Sequence, residues 1–89
     1  MSTFRILIAG KVQGVFYRAT AKKVADELGV AGWVKNTPDD NVVAVVTGTG
    51  AQLEKFVAWC KQGPPRAKVT DVIVEEQEET EFDDFSVIR

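Results

Sequence analysis

The chain has 89 residues, of which 45% are hydrophobic and 27% are charged, and its formal net charge is −2 at pH 7. This composition is that of an ordinary globular protein, and the length predicts a single domain over residues 1–89. The sequence contains no histidine and one cysteine, which excludes a Ser-His-Asp triad, a Cys-His dyad, a His-ligated zinc and an internal disulfide. A reducing, cytoplasmic setting is therefore expected.

Charge and hydropathy also limit the partners. No apolar run approaches the roughly 18 residues of a membrane helix, and the first residues lack the layout of a signal peptide. Residues 1–44 carry six Lys/Arg and four Asp/Glu, and residues 45–89 carry five Lys/Arg and nine Asp/Glu. Most of the acidic residues lie in 75–84. A nucleic-acid-binding protein usually shows a basic stripe, so we expect neither a nucleic-acid nor a membrane partner. We interpret the acidic run as a solvated loop; the alternative is a partner-binding tail.

The first half of the chain predicts a strand, a helix and a hairpin. Residues 4–9 are rich in strand formers and are followed by a loop with glycines at 10 and 14. Apolar residues at i, i+3, i+4 and i+7 predict a helix over 18–28: Ala21, Val24, Ala25 and Leu28. Strands are predicted over 30–35 and 42–47, joined by the turn formers of 36–41.

The second half predicts a helix over 51–62, with Leu53, Phe56, Val57 and Cys60 on one face, ended by Gly63 and two prolines. A fourth strand is predicted over 69–74, and residues 82–88 could form a fifth, edge strand. The order β-α-β-β-α-β is the ferredoxin-like split β-α-β pattern of the α+β class. Right-handed crossovers then place both helices on one face of an antiparallel sheet of order 4-1-3-2. Strands one and two end at the same edge, so loop 10–17 and Asn36 are expected to lie close together.

The loop before the first helix has the composition of an anion site. Glycines allow successive amide groups to turn inward, and a helix N-terminus adds free N–H groups and the positive end of a dipole. Arg18 adds a permanent charge with a planar set of donors. The loop is not a Walker motif because the Gly-Lys-Ser/Thr ending is missing. A plain strand-to-helix connection with a surface arginine remains the alternative interpretation.

Three motifs carry a resemblance to a known family: Gly-Lys-Val-Gln-Gly-Val-Phe-Tyr-Arg at 10–18, Gly-Trp-Val-Lys-Asn-Thr-Pro-Asp at 32–39, and Gly-Pro-Pro-Arg-Ala-Lys-Val at 63–69. In this order the sequence resembles the acylphosphatase family over residues 4–88. The resemblance implies the same fold and a monomer that hydrolyses acyl phosphates to a carboxylate and inorganic phosphate, without metal or cofactor. It further implies that Arg18 binds the phosphate and that Asn36 positions the attacking water. The cradle for the phosphate would be the backbone of Gln13, Gly14, Val15, Phe16, Tyr17 and Arg18.

The sequence departs from the family at the hairpin, where Asp40 stands in the usual place of a glycine. Aspartate tolerates positive φ less well than glycine, so we consider that Asn41 could take the left-handed position instead. Asp39 and Asp40 are interpreted as turn formers and not as a metal site. Cys60 is interpreted as a core residue, and Lys11 and Lys35 are either solvated lysines or a source of positive potential beside the site.

Other functions fit the sequence less well. RNA-recognition domains of this fold class present aromatic residues on the third strand, whereas residues 42–46 are all valine or alanine. A catalytically idle, acylphosphatase-like ligand-binding or regulatory module is the main alternative, because fold does not imply function. The pairing of Arg18 with Asn36 favours the enzyme over that module.

Overall fold

The computed structural model describes all residues, 1–89. The elements are β1 (Ser2–Lys11), α1 (Tyr17–Leu28), β2 (Ala31–Asn36), β3 (Val42–Gly48), α2 (Gly50–Gln62), β4 (Lys68–Gln77) and β5 (Phe85–Ile88). They form one sheet of order β4-β1-β3-β2-β5, in which β5 is parallel to β2 and the other pairs are antiparallel. The predicted α+β fold, the 4-1-3-2 order and the fifth edge strand are confirmed. Neither helix is long and apolar enough to cross a membrane.

The core lies between the sheet and the two helices. Alternate side chains of a strand point to opposite faces, and on β1 Phe4, Ile6 and Ile8 pack on the core, the latter two fully buried. The two isoleucines join a cluster of 16 buried residues that includes Leu53, Phe56 and Cys60 of α2. The prediction that Cys60 is a core residue is therefore confirmed.

The strands differ from the predicted bounds at β1 and β4. β1 continues through Gly10 and Lys11, which pair with β4, so the expectation that the loop begins at Gly10 is wrong. β4 continues to Gln77 and takes in Glu75 and Glu76, so the prediction that these two residues belong to a solvated loop is wrong. Glu75 pairs with Arg5 on β1, and the Arg5 guanidinium lies 3.6 Å from a Glu75 carboxylate oxygen. Pairing with a neighbouring strand therefore overrides the low strand propensity of glutamate at these two positions.

Residues 78–84, here called the crossing segment, join β4 at one edge of the sheet to β5 at the other. They pass over the face opposite the helices, where three threonines form a closed ring of hydrogen bonds. The Thr80 amide donates to Thr3 Oγ1 at 2.8 Å, and Thr47 Oγ1 donates to the Thr80 carbonyl at 2.6 Å. Since the single Thr47 hydroxyl proton is used there, Thr3 donates in the remaining 2.7 Å hydroxyl contact.

In the β2–β3 turn, the left-handed residue is Asp40. Asp40 itself has φ of 68° and Asn41 is not in the left-handed region, so the expectation that Asn41 would take that position is wrong. Aspartate is one of the few non-glycine residues that enters this region. The Asn41 amide instead donates to Thr37 Oγ1 at 3.0 Å, and this contact holds Asn41 in the turn.

Candidate active site

The loop from β1 to α1 is fixed by alternating buried and exposed residues. Val12 and Val15 are buried in the core, whereas Gly14 and Phe16 point to solvent, and Phe16 is 73% exposed. Gly14 and Phe16 both have positive φ, at 72° and 64°. Because these two left-handed residues have only Val15 between them, the chain changes direction sharply between the strand and the helix. The exposed side of this loop forms one part of the candidate site.

The two helices differ in how their first amides are satisfied. At α2, the Thr49 side chain accepts from the Gln52 amide at 3.2 Å and the Gln52 side chain accepts from the Thr49 amide at 2.9 Å. At α1 the N-cap residue is Phe16, which offers no side-chain cap, and the first turn holds no acidic residue. No backbone hydrogen bond outside the helices and strands has its donor between Gln13 and Ala19. The N-terminus of α1 is therefore a set of free donors at the positive end of a helix dipole.

Tyr17 anchors the start of α1 on α2. Its hydroxyl donates to the Cys60 carbonyl at 2.8 Å, inside the core, and its ring packs 5.1 Å from that of Trp59. The residue four positions after Cys60 is Pro64, which has no N–H to complete the helical hydrogen bond. Tyr17 supplies the missing donor. Burial raises the pKa of Tyr17 well above its usual value, and burial likewise raises the pKa of Cys60 to about 12.

The next residue, Arg18, is held by the last strand. Its guanidinium donates to the Ile88 carbonyl at 3.1 Å. One helical turn later, Lys22 donates to the Phe85 carbonyl at 2.9 Å and lies 3.2 Å from an Asp26 carboxylate oxygen. Two cations of α1, Arg18 and Lys22, thus donate to backbone carbonyl groups of β5.

One cleft of about 580 Å³ lies against these elements, a size typical of small-molecule sites. Its lining residues are Val12, Gly14, Phe16, Tyr17, Arg18, Ala19, Lys22, Asn36, Val87 and Arg89. Arg18 and Asn36, which are remote in sequence, line the same cleft. The lining includes three cationic side chains and no Asp or Glu, so an anion is favoured there.

Two residues of the predicted cradle do not line the cleft. Val15 is packed in the core, and the Gln13 side chain donates to the Thr37 and Asn41 carbonyls of the β2–β3 turn. Neither Lys11 nor Lys35 lines it; Lys35 lies 5.2 Å over the Trp33 ring, which is a favourable cation–π distance.

Sequence reasoning missed Lys22 and Arg89 as residues of the cleft. Lys22 follows Arg18 by four positions, and residues spaced i, i+4 share a helix face. That spacing could have identified it. Arg89 follows β5, whose parallel pairing with β2 brings it toward Asn36, and no local sequence pattern indicates that pairing.

Comparisons with known proteins agree on one family. The acylphosphatase family model matches residues 4–87. An acylphosphatase of Methylococcus capsulatus strain Bath is 47% identical over 90 residues, covering 100% of this chain and 98% of its own. The crystal structure of acylphosphatase from Bacillus subtilis superposes with a TM-score of 0.96 at 39% identity, covering 100% of both chains. The structure of an acylphosphatase from Coxiella burnetii superposes with a TM-score of 0.94 at 37% identity, covering 98% of this chain and 92% of its own. The chain belongs to the acylphosphatase family.

Proposed function

We propose that this protein hydrolyses acyl phosphates to a carboxylate and inorganic phosphate in the cleft lined by Arg18 and Asn36. The observation that carries the proposal is the composition of that cleft: a guanidinium, an amide side chain and the uncapped N-terminus of α1 together on one surface. This set of groups matches the needs of a phosphoryl group and one water molecule.

The phosphate is bound by the cradle and by Arg18. The free amides between Gln13 and Ala19 are donors, and hydrogen bonds from such donors to phosphate oxygens are charge-assisted. Arg18 adds a planar pair of donors whose geometry fits two phosphate oxygens. An anion at this position also reverses the unfavourable interaction of the arginine with the helix dipole.

The chemistry requires little beyond this binding. The leaving carboxylate has a pKa near 4, so no acid is needed to protonate it. Phosphoryl transfer spreads charge over the phosphoryl oxygens, and donors fixed around those oxygens stabilise that charge. The bond between phosphorus and the acyl oxygen breaks as the water oxygen bonds to phosphorus.

Asn36 orients that water. Its side-chain carbonyl accepts a hydrogen bond from the water and holds it in line with the breaking bond. A neutral amide is not a base, so the released proton passes to the phosphate product or to bulk water. Positioning alone is a sufficient role because the leaving group is already activated.

Hydrolysis of benzoyl phosphate by the purified protein in the presence of EDTA tests the proposal. We expect turnover that inorganic phosphate inhibits competitively. Arg18→Gln should lower kcat/KM by about 100-fold or more, the range found for removal of one transition-state donor. Asn36→Ala should lower it by roughly 100-fold, because the water is no longer held in line. Arg66→Gln is the matched control, because Arg66 is exposed and outside the cleft, and it should keep wild-type rates.

The competing function is a binding module that holds phosphate without turnover. Saturable phosphate binding to folded wild-type protein, with no hydrolysis above the spontaneous rate, would establish that module and refute the enzyme. Equal rates for wild type and Arg18→Gln would also refute the proposed site.

A further inference from the structure

The side chain of Gln13 connects the two segments that carry Arg18 and Asn36. Its amide nitrogen donates to the Thr37 carbonyl at 2.9 Å and to the Asn41 carbonyl at 2.8 Å. Both distances are those of well-formed hydrogen bonds. A primary amide has two N–H donors, and both are used here, so the side chain has no donor left for a ligand.

The two acceptors are the residues that close the β2–β3 turn. The Thr37 amide donates to the Asn41 carbonyl at 2.9 Å, and the next pair along the hairpin is Asn36 with Val42. Gln13 is therefore hydrogen-bonded to the Thr37–Asn41 pair, which is next to the Asn36–Val42 pair in the hairpin. A shift of the Thr37–Asn41 pair would shift Asn36 with it, since the two are adjacent in one hairpin.

No other hydrogen bond spans this gap. The pairing of β1 with β3 ends at Ile8 and Val42, and beyond it β1 pairs only with β4, up to Lys11 and Lys68. The backbone hydrogen bonds of the loops include none between residues 12–16 and 36–41. The bonds from Gln13 are the polar link between the loop that leads to Arg18 and the hairpin that bears Asn36.

We propose that Gln13 is a positioning residue that sets Asn36, and hence the attacking water, relative to the phosphate bound by Arg18. The inference rests on the proposed function of the cleft. Gln13 acts through Asn36 and does not touch the substrate with its side chain. A displacement of about 1 Å at a reacting group can cost roughly 100-fold in rate, so loss of this link affects turnover more than binding.

Two variants of Gln13 test this role. Gln13→Met keeps the length of the side chain and removes both donors, and Gln13→Glu places acceptor oxygens against two carbonyl oxygens. We expect kcat for benzoyl phosphate to fall at least about tenfold in Gln13→Met and further in Gln13→Glu. The inhibition constant of inorganic phosphate should stay within about threefold of wild type, because Asn36 does not hold the bound phosphate. Gln62→Met makes the same chemical change at an exposed position outside the cleft and should keep the wild-type kcat.

The outcomes separate this inference from the proposed function. A wild-type kcat in Gln13→Met, with Arg18→Gln inactive, overturns the positioning role alone, and a lowered melting temperature would then show that Gln13 is only structural. An equal loss in kcat and in phosphate affinity also overturns it, because the link would then belong to the phosphate cradle. Absence of turnover in the wild-type protein refutes the proposed function itself.

Discussion

The hydroxyl of Tyr17 makes a contact whose removal has a calculable cost. Tyr17→Phe deletes the donor that satisfies the Cys60 carbonyl and keeps the packing of the ring on Trp59. Both residues are almost fully buried, with Tyr17 2% and Cys60 1% exposed, so water does not replace the lost donor. Pro64 has no N–H to offer. The carbonyl is left unsatisfied, which costs roughly 1–3 kcal/mol.

The expected effect on stability is large for a chain of this size. Taking about 2 kcal/mol, and a shift of about 4–8 °C per kcal/mol for a domain of this length, the melting temperature should fall by about 8–16 °C. Thermal unfolding followed by circular dichroism at pH 7 measures it. Ser86→Ala is the control, since it removes an exposed hydroxyl that donates to an Asp84 carboxylate oxygen at 3.1 Å, and it should shift the melting temperature by no more than about 4 °C. A Tyr17→Phe shift as small as the control's would refute the argument from Pro64.

Three further predictions follow from the same structure. The free energy of unfolding should fall above about pH 9. Unfolded Cys60 loses its proton near pH 9.0, whereas burial raises the pKa of folded Cys60 to about 12, and the pKa of folded Tyr17 is raised in the same way. Each group therefore lowers the free energy of unfolding by up to ~1.4 kcal/mol per pH unit between its unfolded and folded pKa. Urea unfolding at pH 7–11 should show this decline, and a flat profile would contradict it. Asp40→Gly should raise the melting temperature by about 2–4 °C by relieving positive φ, whereas Asp40→Ala should lower it; the opposite order would count against strain at this turn. Thr47→Val should break the threonine ring and speed cleavage of the crossing segment by a glutamate-specific protease. Thr70→Val, at an exposed position, is the control. Equal cleavage rates in the two variants would show that the ring does not hold the segment.

Most of the fold could be predicted because its signals are local. The apolar periodicity of the helices and the β-branched run of β3 each lie within a dozen residues, and the order of elements then restricts the topology. The strand conformation of Glu75 and Glu76 could not be predicted from the sequence, because it depends on pairing with β1 and no local preference of glutamate indicates it.

For the candidate site, the sequence predicts which residues come together but not the contacts that position them. The order of the elements predicts that the loop before α1, Arg18 and Asn36 lie at one edge of the sheet, because β1 and β2 run parallel with β3 between them. The contacts that position these groups are made by partners distant in sequence. Gln13 reaches the turn 24 and 28 residues away, and Arg18 contacts Ile88, 70 residues away. Such pairs leave no periodic or compositional signal.

The dependence of Arg18 on β5 has a consequence for the dynamics of the cleft. β5 has four residues, lies at an edge of the sheet and pairs only with β2. Short edge elements open locally at a lower free energy than the central strands. Each such opening moves the carbonyl groups of Ile88 and Phe85 away, so Arg18 loses its hydrogen-bond acceptor and Lys22 keeps only the Asp26 carboxylate. The placement of Arg18 in the cleft therefore depends on the closed state of the last strand, and amide hydrogen exchange at residues 85–88 measures how often that state opens.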